Sequence, residues 1–111
     1  MIEVPLHEVA HSRAGDKGNR LNLSLIPYRA EFYALLAAQV TDARVLALFA
    51  HRGATACRRF DLPLLAAFNF VVEDALEGGV NGALGLDGHG KTLSFRLLGL
   101  PVRVPAGVPL R

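Results

Sequence analysis

The sequence predicts a two-layer α+β sandwich with helices on one face of a mixed or antiparallel sheet, and three observations point there. A length of 111 residues holds one hydrophobic core and is too short for two ordinary domains. Stretches of strict apolar alternation and stretches of helical spacing follow one another along the chain. Finally, 51% of the residues are hydrophobic and 20% charged, an apolar surplus that leaves the second face of the sheet to meet a partner and points to an oligomer or a larger companion chain.

In order, Ile2, Val4 and Leu6 alternate with Glu3, Pro5 and His7 over residues 2–10, the pattern of a half-buried strand. Val9 falls on the opposite parity, which a bulge near His7-Glu8 reconciles, and Pro5 favours an edge. After a polar run at 11–20, residues 21–26 alternate again as a second strand, so the run reads as a loop between strands. Pro27 then stops the ladder; Phe32, Leu35, Leu36 and Val40 recur at helical spacing, and Thr41-Asp42 cap a shorter helix that Gly53 ends. Residues 55–62 read as a strand with Ala56 and Phe60 inward.

Asp61-Leu62-Pro63 resembles a helix start, and Leu64, Leu65, Phe68, Val71, Val72, Ala75 and Leu76 form a broad apolar band up to Gly78-Gly79, predicting the clearest helix of the chain. Six glycines between Gly78 and Gly90 predict a short strand entering the turn 87–90. Residues 92–100 fit a helical turn or a strand. Val102-Arg103-Val104 read as a final strand, so 1–104 form the domain and the Pro-rich tail 105–111 is expected to be disordered.

Composition excludes several functions. The net charge is +2, the only lysines are Lys17 and Lys91, and no aromatic-basic interleaving of the kind that stacks bases occurs, so nucleic acid is not expected. One cysteine, Cys57, forms no internal disulfide, and the four histidines lack metal-ligand spacing, so no metal is expected and the compartment is reducing. No signal peptide or membrane span is legible at Met1–Pro5, and the expected location is the cytoplasm.

The chemistry concentrates in His11-Ser12-Arg13-Ala14-Gly15-Asp16-Lys17-Gly18-Asn19-Arg20, which carries more functional groups than a turn requires. Gly15 and Gly18 allow a backbone nest of N–H groups, to which Arg13 and Lys17 add charge, so a phosphate or carboxylate is the natural guest. The spacing is not that of a nucleotide-binding P-loop. Ser12 and Asn19 complete the binding set, while His11, Asp16 and Lys17 are the groups able to move a proton. Asn69, a polar amide on an apolar helix face, either pins a neighbouring loop or reaches a ligand. Lys91, with Asp87 and His89, completes the pocket if the second glycine-rich turn lies beside the first. The bland alternative is two ordered surface turns with no ligand.

The runs His11–Asn19, Phe60–Phe70, Gly78-Gly79-Val80 and Leu86–Lys91 together resemble, collinearly from about His11 to Val104, the ferredoxin-fold domain at the carboxyl end of acyclic terpene utilisation protein A (AtuA). That domain's pattern has the same Gly-Asp-Lys-Gly-Asn loop, Leu-Pro entry with an internal Asn, and Asp-x-x-Gly-Lys turn. The resemblance implies a ferredoxin-like sandwich in a free-standing form, without the large domain that precedes it in AtuA, and a setting in bacterial catabolism of isoprenoid or branched acids as CoA esters. On that basis the chain is expected to be an auxiliary subunit that joins itself or a larger AtuA-like chain and contributes an anion-binding loop to a shared site, the cofactor being unknown. The alternatives are a self-sufficient isomerase or hydratase with an inter-subunit site, and an assembly module without its own ligand.

Overall fold

A computed structural model describes residues 1–75 and 93–111. Two antiparallel sheets carry it. Strands β1 (Ile2–Pro5) and β6 (Pro101–Val104) form a small ladder, and β2 (Ala10–Lys17), β3 (Arg20–Pro27), β4 (Ala56–Leu62) and β5 (Ala67–Glu73) form a larger sheet in the order β2-β3-β5-β4. Helices α1 (Tyr33–Gln39) and α2 (Asp42–Phe49) connect β3 to β4, and α3 (Leu93–Leu98) precedes β6. Both β3 and β4 are antiparallel to the β5 between them, so they are parallel to each other across a helical crossover with a strand inserted, the split βαβ unit of ferredoxin-like folds.

The core follows from alternation. Leu21, Leu23 and Leu25 of β3 pair in register with Val72, Phe70 and Phe68 of β5, and because directly opposed residues share a face, all six point to one side. Each is buried, and they meet Leu36, Val45, Phe49 and Leu97 of the helices and Val102 and Val104 of β6 in one cluster. Helices cover this inner face. Thr41 caps α2, its hydroxyl accepting from the Arg44 amide at 3.2 Å, and Gly53 closes the following 3-10 turn with φ 90°, as the sequence predicts.

Four expectations change. The helix predicted over 64–76 is β5: Pro63–Leu65 make one 3-10 turn, Ala66 takes φ 48°, and the chain enters a central strand. The apolar band was misleading because Leu64 is 99% and Leu65 71% exposed, while Phe68, Phe70 and Val72 carry a true period of two. In β4 the inward side chains are Cys57 and Arg59, not Ala56 and Phe60. Arg59 is tolerated there because its guanidinium donates to the Ala37 and Val40 carbonyls at the end of α1, at 2.6 and 3.0 Å, pairs with Asp61 at 2.7 Å and lies over the Phe68 ring.

The slip at Val9 is a 3-10 turn over Leu6–Glu8 rather than a bulge, and there the chain leaves one sheet for the other. The polar run is strand rather than loop, since β2 and β3 pair from Ala10↔Pro27 to Lys17↔Arg20 around the two-residue turn Gly18-Asn19. Residues 92–100, open to two readings, contain α3, and β6 matches its prediction. At the carboxyl end Arg111 lies over the Tyr28 ring at 4.5 Å and donates to the His7 carbonyl. The glycine-rich strand and turn predicted for 78–91 lie outside the described residues.

Candidate functional site

Strand alternation divides the polar run between the two faces of the sheet. Ser12, Ala14 and Asp16 are opposite Leu25, Leu23 and Leu21 and therefore face the helices, whereas His11, Arg13, Gly15 and Lys17 lie on the outer face with Ile26, Ser24, Asn22 and Arg20. The register continues across the sheet. One row runs Arg13, Ser24, Asn69, Phe60; the next runs Gly15, Asn22, Val71, Arg58; a third runs Lys17, Arg20, Glu73, Ala56. Among the described residues no helix packs on this outer face, where His11, Arg13, Lys17, Arg20, Arg58 and Phe60 are exposed.

This face is cationic. Its strands carry Arg13, Lys17, Arg20 and Arg58 against one carboxylate, Glu73, which Arg20 neutralises at 3.0 Å. Arg58 stands over Phe60 at 5.7 Å. Among the described residues neither Arg13 nor Lys17 forms an ion pair. Between them lies Gly15, where the row of side chains is interrupted. Its φ is not in the left-handed region, and a Cβ placed there would meet nothing within 4 Å among the described residues, so neither backbone geometry nor packing calls for glycine. Behind this notch Asn69 donates from Nδ2 to Asn22 Oδ1 at 3.3 Å. Beside it a cavity of about 470 Å³ opens over Val71, Phe60, Ala56 and the Arg20–Glu73 pair.

The other predicted site residues separate from this group. A strand's N–H groups point alternately to either side, so residues 13–17 do not turn successive amides to one point, and the anion nest expected there is replaced by a surface of side chains. Gly18 takes φ 63° to make the hairpin turn. Asn19 donates to Asp74 Oδ1 at 3.1 Å, and the other oxygen of Asp74 accepts from the Thr55 hydroxyl, which ties the turn to the start of β4. Ser12 lines a cavity of about 300 Å³ with Arg13, Ala14 and the buried Ser94 at the β2 edge. Asp16 is on the same inner face, away from Lys17. His11 shares the outer face with Arg13 but packs against Tyr28, ring centroids 5.4 Å apart and planes tilted by 33°. Lys91 lies outside the described residues. Among the described residues no group of three His, Cys, Asp or Glu side chains could hold a metal ion, and no single helix is long and apolar enough to cross a membrane.

The sequence reading missed Asn22, Ser24 and Arg58, and took Arg20 only as the end of the polar run. All stand at outward positions of strands whose alternation was legible, but which outward residues become neighbours depends on strand order, and that is not local information.

Residues 4–103 match the family model of the AtuA ferredoxin-like domain. The chain belongs to that family. As an AtuA ferredoxin-like domain it has its Gly-Asp-Lys-Gly-Asn segment on the β2–β3 hairpin, at one edge of the sheet among the described residues. No curated protein and no solved structure matches the chain.

Proposed function

We propose that this AtuA ferredoxin-like domain is an auxiliary module that holds an anionic acyl compound, such as a CoA ester of a branched or isoprenoid acid, on the outer face of its sheet, and presents it to a site shared with a larger AtuA-like chain. The observation that carries this reading is the side-chain-free notch at Gly15, flanked by Arg13 and Lys17 with the Asn22–Asn69 pair behind it. Two cations that the described residues leave without a carboxylate partner favour a phosphate or carboxylate. In a strand of rise about 3.4 Å their Cα atoms stand roughly 14 Å apart, and both side chains are long enough to lean over the gap. The apolar part of the ligand would continue across the sheet toward Val71 and Phe60, over the cavity there.

Roles follow from position. Arg13 and Lys17 grip the anion, and Asn69 and Asn22 orient it. His11, on the same face, is placed to exchange a proton with a ligand reaching past Arg13. Asp16 lies on the opposite face, away from a ligand held on the outer one, and Asn19 and Gly18 fix the turn. Lys91 enters the site if its segment reaches this face.

Titration calorimetry with a branched acyl-CoA tests the reading. Arg13→Ala should weaken binding by about 10- to 100-fold, the equivalent of one charge-assisted hydrogen bond of roughly 1.5–3 kcal/mol. Gly15→Val should abolish binding while leaving the melting temperature unchanged or higher, because valine suits an edge strand better than glycine. Equal affinity in the wild type and both variants refutes the site and leaves an assembly module.

A further inference from the structure

We infer that β4 is a homodimerisation edge, pairing antiparallel with β4 of a second copy about a twofold axis at Phe60 and joining the two four-stranded sheets into one of eight strands. The inference shares Phe60 with the ligand reading above but rests on the edge of β4, not on the Arg13–Lys17 end of the sheet.

Three observations lead there. Among the described residues β4 is terminal in the sheet, pairing with β5 on one side only. Such an edge presents unpaired N–H and C=O groups, which proteins ordinarily protect with charged side chains, proline or a bulge. Within Ala56–Leu62, β4 has no lysine, proline or bulge, and its two inward charges, Arg59 and Asp61, neutralise each other at 2.7 Å. Large apolar side chains also gather at this edge and the turn after it: Phe60 is 42%, Leu62 40%, Leu64 99% and Leu65 71% exposed.

The third observation selects a second copy of this chain as the occupant and fixes the register. A twofold axis perpendicular to the sheet carries each face onto itself, so opposed residues must have the same parity. The strand can therefore be centred only on a residue that faces its own copy. Centring on Arg58 or Arg59 puts two guanidinium groups opposite each other, and centring on Asp61 opposes two carboxylates, each unfavourable. Centring on Phe60 opposes ring to ring on the outer face and places Arg59 opposite Asp61 of the second copy, twice, on the inner face, with the stem of Arg58 against Leu62 of the second copy. Among these four central positions, Phe60 alone yields a self-complementary strand, and the charges that complement each other are those that already pair within the chain at 2.7 Å.

The test is oligomeric state together with a register-specific crosslink. Light scattering should give twice the 11.9 kDa chain mass. In a Cys57→Ser background, Phe60→Cys should form an intermolecular disulfide on mild oxidation, because opposed Cα atoms in an antiparallel pair lie about 4.5–5.5 Å apart, within disulfide reach. Arg58→Cys in the same background should not, since its two copies would stand roughly 14 Å apart along the strands. A single-chain mass at about 100 μM, which leaves any self-association weaker than roughly −5.5 kcal/mol, overturns the proposal. So does a dimer in which Arg58→Cys crosslinks as readily as Phe60→Cys, or in which neither does. Arg13, on the far strand of the sheet, is outside the proposed dimer contact, so calorimetry on Arg13→Ala and the crosslink at position 60 let the two proposals fail separately.

Discussion

Replacing Phe70 by alanine measures whether residues 67–73 are the central strand that organises the core. The Phe70 side chain is fully buried between Leu23 and Arg59 in register, on the inner face of β5 and within the core cluster. Removing a buried ring costs about 3–5 kcal/mol, the lost transfer energy plus the cavity left behind. With an unfolding entropy near 2.1 cal/mol/K per residue, 111 residues give roughly 0.23 kcal/mol/K, so the melting temperature should fall by about 13–21 °C. Leu65→Ala is the control, because the helix suggested by the apolar band would bury Leu65, whereas here it is 71% exposed and its loss should stay within about 0.5 kcal/mol. Both values come from thermal unfolding followed by circular dichroism. A Leu65→Ala loss equal to or greater than that of Phe70→Ala would refute the strand assignment and with it the outer face on which Asn69 stands.

Thr41→Ala removes the hydroxyl that caps α2 and should cost about 1 kcal/mol in a denaturant titration, with the m-value unchanged. The Cys57 thiol is pushed up from 9.0 to about 12, first by burial and then by the negative charge of Asp42. Near pH 8 it should therefore resist alkylation in the folded protein and react readily in denaturant, read as a mass shift. Because the folded thiol keeps its proton to higher pH than the unfolded one, the stability it contributes is complete below 9.0 and is lost as pH rises toward about 12.

What the sequence determined by itself is local. Alternation placed β1, β3 and β6, and the Thr41-Asp42 cap and Gly53 placed α2, because those signals depend on a residue's own side chain and its nearest neighbours. The motif in the polar run, with the others, announced the family. Tertiary structure decided what pattern left degenerate. The segment 64–76 satisfied both a period of 3.6 and a period of two, and β5 won because a strand there gains ladder bonds on two sides and buries Phe68, Phe70 and Val72 against the helices. Arg59 turned inward only because the end of α1 supplied carbonyls for its guanidinium. The candidate site is of the same kind: Arg13, Gly15 and Lys17 are consecutive outward positions legible in one strand, but Asn22, Asn69 and Val71 join them through pairings between residues far apart in the chain. Such neighbours are set by the order of strands in the sheet, which burial of the whole core selects and no single stretch encodes.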